Sequence, residues 1–468
     1  MPNISGLLQI GSSALLAQQK AIDITGNNIA NVNTAGYSRQ RLNIVQNLPI
    51  RDQSTTSSTG VYAHRKIQRF YDQFVTAQLN GENENLGRWE AQKTALEKIE
   101  VLFDEVSGYG LSEAMSEFWN AWQDLSNNPS GHVERTSLLS AGQFLATTFN
   151  QLSSNISSAQ KDIDTNVVEN VTDINRMAGQ IAELNRKIAQ VEVNGHNAND
   201  YRDERDLLVY NLSKLIDIDS FEDGDGNMTI TVGGGKPLVE STFTWNLSTA
   251  ESAGVQNIYW EDSSGAAHDI TGRIEGGELK GWLEARDEII NGYKTRLDTL
   301  ANSIITEVNA LHNDAGPPAS GFNLYGSQNN FFVGGNASDI AVHSAIAADV
   351  SYIAAAGSAA ALPGDNSAAM AIADLQNRLT MSGSSSTFDD YYIALVGDIG
   401  NDVRTADLNN DHQNNMIRYL QNYREEVSGV SLDEEMVNLI KFQHAYSAAA
   451  RLITTVDEMM QTVIGMVR

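Results

Sequence analysis

The chain has 468 residues, 41% of them hydrophobic, enough for more than one core. A formal net charge of -28 makes its surface repel phosphate backbones, which argues against nucleic acid as a partner. With no cysteine there is no disulfide scaffold, cysteine-ligated zinc or thiol nucleophile.

No stretch approaches the ~20 apolar residues that span a bilayer, so no membrane insertion is expected. The opening Met1-Pro-Asn-Ile-Ser-Gly6 has neither a basic region nor an A-x-A-like cleavage site. Composition alone therefore suggests the cytoplasm, unless export reads an uncleaved signal.

At the N-terminus Leu8, Leu15, Ile22 and Ile29 recur every seventh residue, with Ile4, Gly11 and Gln18 on the adjoining row. Between Ile4 and Gly36 the only charged residues are Lys20 and Asp23, so this end tolerates close packing. The helix pattern ends near Thr25 and Gly26, where the Asn-, Thr- and Gly-rich run Asn27 to Arg39 favours turns. A polar, Ser/Thr-rich loop is expected from Arg51 to Gly60. Helical periodicity returns from about Gln68 to Phe103 and again from Leu111 to Leu125, where Asn127-Asn128-Pro129 stops it. Trp119 and Trp122 in that short helix read as core or interdomain packing.

The strongest central helix runs from about Ser137 to Val193, and Tyr201 to Leu215 is another. At Ile216 the period becomes alternating, and Asp223-Gly-Asp-Gly-Asn227 between Ile218 and Met228 marks a hairpin. Further strand-like pieces run to Trp260. Helix resumes from Leu279 to Leu311. Residues 315–386 are rich in Gly, Ala and Ser and carry mixed signals. A helix near Asp389 to Val427 leads into the last seam, where Leu432, Leu439, Tyr446, Ile453, Met460 and Val467 keep the seven-residue spacing. Phe442, Ala449, Val456 and Val463 occupy its companion position.

The order predicts a mainly α, elongated chain with a small β domain. Paired terminal coiled-coil helices (1–36 and 428–468) would join a helical-bundle rod (37–215 and 276–427) carrying an inserted outer β domain (216–275). Both termini would lie at one end. The seven-residue rows alone serve an internal bundle as well as a polymer interface.

Motifs of catalysis are missing: there is no H-E-x-x-H, G-x-S-x-G or helix-opening G-x-G-x-x-G. Gly233-Gly-Gly-Lys236 is followed by Pro237 rather than Ser or Thr and reads as a β-turn. Asp223 to Asn227 resembles the start of a calcium loop, but Gly234 stands where the bidentate glutamate belongs. The histidines lack metal spacing. No cofactor, metal or enzymatic activity is expected.

Two segments separate the readings. Asn28-Ile-Ala-Asn31-Val-Asn-Thr34-Ala-Gly36-Tyr37 resembles the N-terminal signature of the axial proteins of the bacterial flagellum. Ser431-Leu-Asp-Glu-Glu-Met-Val-Asn-Leu439, Gln443-His-Ala-Tyr446 and Ile453-Thr-Thr-Val-Asp-Glu-Met459 resemble their C-terminal signature. Within that group, Tyr37-Ser-Arg39-Gln40, Asp203-Glu-Arg-Asp-Leu-Leu208 and Gly235-Lys-Pro-Leu-Val239 are similar to the hook-associated proteins of the hook–filament junction.

The resemblance implies a structural protein that joins hook to filament outside the cell. It would be exported unfolded through the flagellum's own channel without signal cleavage. Few prolines (7) and no cysteines suit fast refolding at the tip. The terminal helices would pair, pack in a helical assembly of copies and meet the hook protein and the next hook-associated protein. An export chaperone would cover the C-terminal helix beforehand. The residues implied at the assembly interface are Leu8, Leu15, Ile22, Ile29, Leu432, Leu439, Phe442, Tyr446, Ile453, Val456, Met460 and Val463. Those of the signature loop are Asn28, Asn31, Thr34, Gly36 and Tyr37. The alternative within the family, a hook or distal-rod protein, would require β structure in 137–215. An enzyme on a flagellar scaffold would need a nucleophile–base pair or a metal set in 216–386. A helical-bundle protein unrelated to flagella would leave the matched ends unexplained.

Overall fold

The computed structural model describes residues 4–46, 50–52, 55–57, 61–104, 110–193, 195–224, 226–313 and 321–466. Val467 of the C-terminal row and Asp225 of the hairpin turn lie outside them. The helices are α1 (Ile4–Ala30), α2 (Gln73–Phe103), α3 (Leu111–Asn127), α4 (His132–Glu192), α5 (Asn199–Leu215), α6 (Gly277–Glu284), α7 (Asn291–His312), α8 (Ser344–Ala348), α9 (Ser367–Ala373), α10 (Phe388–Ser428) and α11 (Leu432–Met466). Their limits follow local chemistry. The Asp72 carboxylate accepts from the amides of Phe74 and Val75 to start α2, and Thr387 and Asp390 form a capping box on α10. The region on which the hook or distal-rod alternative turned is helical.

Strands β1 (Gln40–Gln46), β2 (Ile50–Asp52), β3 (Thr55–Ser57) and β4 (Val61–Arg69) follow α1, and β2 and β3 fall within or at the edge of Arg51 to Gly60, where a polar loop is expected. β1 pairs antiparallel with β4, and β2 with β3. Arg41, Asn43, Arg65 and Gln68 interrupt the apolar alternation here and hid the ribbon from a pattern reading. The predicted hairpin and turn are found: β5 (Asp219–Glu222), β6 (Met228–Val232), β7 (Lys236–Glu240) and β8 (Phe243–Thr244) form one antiparallel sheet. Gly233, Gly234 and Gly235 make the turn between β6 and β7. Asn227 donates its amide and side-chain Nδ2 to the Asp223 carboxylate at 2.9 and 3.1 Å, closing the other turn. β9 (Leu247–Ser252), β10 (Val255–Glu261) and β11 (Ala267–Asp269) form a second small sheet.

Three side chains of α4, about three turns apart, fix these sheets to the helix. Asp164 accepts from the amide of Gln256, Asn175 bonds both backbone groups of Leu247, and Asn185 bonds both of Met228 as well as the carbonyl of Ser241. A π-helical turn at Ala285–Ile290 between α6 and α7 places the buried Arg286 against Asp164, Asp287 and the Gln256 carbonyl.

The Gly-, Ala- and Ser-rich segment is ordered where described. β12 (Phe332–Val333) pairs with β13 (Ala341–Val342), and Phe331, Phe332, Ile340, Ile346, Ile353, Ile372 and Leu375 are buried. They join the main core with Phe118, Trp119 and Trp122 of α3. Helix side chains supply the polar anchors. Asn309 bonds the backbone of Phe331 and Phe332, Asn150 donates to Ile340, and the buried Arg135 donates to the carbonyls of Pro129 and Ile353.

His312 closes this region. Its Nδ1 donates to the Asn329 carbonyl at 2.6 Å and its Nε2 accepts from the Ala354 amide at 2.9 Å, which fixes a neutral ring. Burial, helped by Arg135 and His343, pushes its pKa down to about 4 from 6.5. Because the folded value is depressed, the unfolded chain binds the extra proton. Stability is then full above pH 6.5 and falls by about 3 kcal/mol as pH drops to 4. Glu84 acts in the opposite sense, burial raising its pKa to about 8 from 4.5. Urea unfolding of the native chain against His312→Gln isolates the histidine: the difference in stability should shrink steadily from pH 7 to pH 4. A constant difference would mean that His312 does not titrate.

Candidate assembly site at the paired termini

α1 packs along α11. Charge is almost absent from α1, and the acidic first turn of α11 (Asp433, Glu434, Glu435) complements its helix dipole. The buried line on α1 is Gly11, Ala17, Ala21, Ile24, Thr25 and Asn28. It lies one row aside from the expected line, so Leu8, Leu15, Ile22 and Ile29 are half-buried at the flank. Small side chains explain the offset: a Cβ added at Gly11 would sit 2.8 Å from Cγ1 of Ile453 and 3.1 Å from Cδ2 of Leu452. On α11 Val456 is buried and Leu439, Phe442 and Ile453 are half-buried. Leu432, Tyr446, Met460 and Val463 stay exposed, joined by Met436, Val437, Ile440, Ile464 and Met466.

The signature loop closes the joint between this pair and the rest of the chain. α1 continues through Asn28 to Ala30 instead of stopping near Gly26, because Asn28 is held on every polar atom. Its Nδ2 donates to the Gln40 carbonyl at 2.8 Å and to Glu435 Oε2 at 3.0 Å. Its Oδ1 accepts from the Tyr37 hydroxyl at 2.8 Å and the Gln40 amide at 3.0 Å. Burial, then Asp200, Asp203 and Glu435, push the Tyr37 pKa far up, so its hydroxyl stays a donor. Asn31 and Thr34 build the turn itself, Thr34 donating to Asn31 Oδ1 at 3.2 Å. Gly36 takes φ +80°, with Leu207 of α5 3.2 Å from where a Cβ would stand.

Ion pairs and hydrogen bonds from further side chains complete the joint. Glu435, 2% exposed, pairs with Arg39, which also reaches Glu434. The Arg39 amide donates to Ser428 at the end of α10. On the other side the Ser38 amide donates to Asp203, which with Asp206 pairs Arg69 of β4, and Gln40 donates to Asp200. α1, α11, the ribbon and α5 thus meet at one polar node. Arg39, Asp203 and Glu435 all lie within the motifs quoted above, but only their three-dimensional pairing assigns them a role. Charge in an N-terminal stretch that otherwise carries only Lys20 and Asp23 was the available signal for Arg39.

The profile of the flagellar hook-associated protein FlgK helical domain matches residues 96–332. Flagella basal body rod protein matches 8–37, and the C-terminal region of the flagellar basal body rod proteins matches 421–466. The flagellar hook-associated protein 1 of Bacillus subtilis (strain 168) is 30% identical, across 98% of this chain and 97% of its own length. The chain belongs to the flagellar hook-associated protein 1 family. The Escherichia coli (strain K12) member is 26% identical across 99% of this chain and 100% of its own. In fold, the flagellar hook junction protein FlgK from Burkholderia pseudomallei superposes with a TM-score of 0.68, at 16% identity, over 75% of this chain and 100% of that one.

Members of the hook-associated protein 1 family are structural proteins of the flagellum, which agrees with a site made of helix seams and buried ion pairs. Among the described residues no helix is long and apolar enough to cross a membrane. The contact at Gly11 makes a specific expectation for this member. Gly11→Leu overpacks the crossing, at a cost of ~1–3 kcal/mol, and should open the terminal pair alone. Amide exchange in 4–30 and 432–466 should rise about tenfold or more while the main core keeps its protection. Unchanged exchange at both ends would show that α1 and α11 do not meet there in solution.

Proposed function

We propose that this chain is a structural adaptor joining the flagellar hook to the filament, with α1 and α11 as its docking element. One observation carries the reading. After pairing with α1, α11 still exposes Met436, Val437 and Ile440 by 51–65% each, a row that a chain of charge -28 has no reason to keep wet. Packing of that row against neighbouring copies would bury it and build an inner tube from 1–36 and 428–468. The helical rod (37–215 and 276–427) and the β insert (216–275) would stand outside it. The hook protein would lie below and the next hook-associated protein above. Before assembly the same row suits an export chaperone, and a chain without cysteine can be unfolded for export with no cross-link to break.

Hydrogen exchange on the free monomer and on the same protein added to isolated hooks tests this. Strong new protection in 4–36 and 428–466 on hooks is the expected result. Ends already fully protected in the monomer, with hooks changing nothing, would mean that the seams close an internal bundle.

A further inference from the structure

The ribbon of β1 and β4 is fastened to the body by the start of one helix. Asn197, just before α5, and Asn199 in its first turn both donate to the Ile67 carbonyl of β4, and Gln40 of β1 donates to Asp200. One turn on, Asp203 holds both ends of the ribbon at once. It accepts from the Ser38 amide, where the chain enters, at 3.0 Å and from Arg69, where it leaves, at 2.9 Å. Arg69 also pairs with Asp206 at 2.8 Å and lies over the Tyr71 ring. Steps of three residues make Asp200, Asp203 and Asp206 successive neighbours on the surface of α5.

This clamp is short of positive charge. Arg69 serves both Asp203 and Asp206, while Arg202 pairs with Glu192 and Glu222, and Arg205 with Glu222. Three arginines thus answer four carboxylates, and Asp200 adds another acid at the rim. The side chains of Arg69, Asp203 and Asp206 are 10%, 7% and 14% exposed, so salt and water screen the surplus poorly. The remaining neighbours do not offset it. Tyr37 and Tyr71 keep their phenolic protons, burial and the nearby carboxylates raising both. Arg424 and Glu425 of α10 line the same side as Asp206 but pair with each other, and Glu435 is held by Arg39. Arg41 and His196 line the cleft on the other side and are exposed. Burial, opposed by Arg69, pushes the carboxyls of Asp203 and Asp206 above the ordinary aspartate value.

We infer that this clamp is a proton-operated fastening between the ribbon and the rod: uptake of one proton by the aspartate pair closes it, and loss of that proton lets the ribbon swing from α5. The sign follows from solvation. Opening returns Asp203 and Asp206 to water, where each ionises readily, so the closed form is the one that holds the extra proton. Closure is favoured as pH falls and weakens as pH rises through the raised values of the pair. Asp206 is the surplus partner, because Asp203 carries the Ser38 amide as well as Arg69. The ribbon packs on α1 and α1 on α11, so the proton sets how firmly the terminal pair is held to the rod. This is a property of the free chain, and it stands or falls independently of what the terminal pair docks on.

The chain has no cysteine, so paired spin labels can be placed without background. Asn43→Cys in β1 with Thr172→Cys in α4, both exposed, reports the distance between ribbon and rod in the full chain. Thr172→Cys with Asn401→Cys in α10 reports the rod alone. From pH 8 to pH 5 the ratio of a single closed distance to the broad remainder should rise about tenfold or more in the first pair, as one raised pKa unit gives. The rod pair should not change. Asp206→Asn removes the surplus charge and should hold the closed distance at both pH values. The same distribution at pH 8 and pH 5 in the otherwise native chain would overturn the inference, as would a matching change in the rod pair. A broader distribution in Asp206→Asn than in the native clamp at pH 8 would also overturn it, by making that carboxylate a needed support. His196→Gln should leave the response in place, and loss of the response there would assign the switch to the histidine instead.

Discussion

Asn28→Ala should release the terminal helix pair from the body of the protein and abolish stable attachment to hooks. The substitution removes four hydrogen bonds at once, leaving the Gln40 amide and carbonyl, the Tyr37 hydroxyl and one oxygen of Glu435 without that partner. Glu435 is buried, so its carboxylate would rest on Arg39 alone. An unpaired buried polar group costs about 1–3 kcal/mol, and stripping one support from a buried ion costs at least as much, so a local loss of ~3–5 kcal/mol is expected. The loss should be confined. Ala17, Ala21, Ile24 and Val456 of the terminal pair belong to neither apolar cluster of the body, so the main thermal transition should stay in place. Asn28→Asp separates the two halves of the effect. An aspartate keeps the acceptor for Tyr37 and Gln40 but sets a second carboxylate against Glu435. Pairing should be lost at pH 7 and partly recovered once acid protonates one of the two. Amide exchange across 4–30 at both pH values reads the result, and native protection in Asn28→Ala would remove the node from the mechanism.

Trp122→Ala should have the second large effect, at the opposite end of the body. The indole is fully buried, with the rings of Phe331 at 5.4 Å, His312 at 6.0 Å and Phe118 at 6.2 Å. Its N–H has no partner, so what the substitution removes is packing, at about 3–5 kcal/mol for an emptied aromatic site. Segment 321–386 loses the surface on which Phe331 sits and should become open to proteolysis. Attachment to hooks should survive, because none of these residues touches the terminal node. Trp122→Phe keeps an aromatic ring there and should lose less than half as much stability. Equal losses in both variants would mean that the cavity collapses and that ring packing is not what holds the segment.

Long apolar periodicity made the helices legible in the sequence. Ile174, Met177, Ile181, Leu184, Ile188 and Val191 fall on one face of α4, and the terminal rows fixed α1 and α11 as partners. Periodicity could not say which row faces inward. It weights large side chains, and the contact row of α1 is built on Gly11, Ala17 and Ala21. The β1–β4 ribbon escaped because its strands carry arginine and glutamine. Segment 321–386 escaped for another reason: it is ordered by Asn309, Asn150 and Arg135, donors hundreds of residues away or on other helices, and no local pattern encodes them. At the node the motif residues were all visible, yet the bond between Asn28 and Glu435 joins positions 407 apart.

α4 is a single helix of 61 residues, about 90 Å at ~1.5 Å per residue. Its last turns adjoin α5, to which the terminal node is tied, while Arg135 and Asn150 near its start grip segment 321–386. Asp164, Asn175 and Asn185 carry the two small sheets between them. Twist applied at the base therefore reaches every outer part through one continuous strut. Such a body turns as a unit, and the terminal pair meets it through two short connections, Asn31 to Ser38 and Gly429 to Ser431.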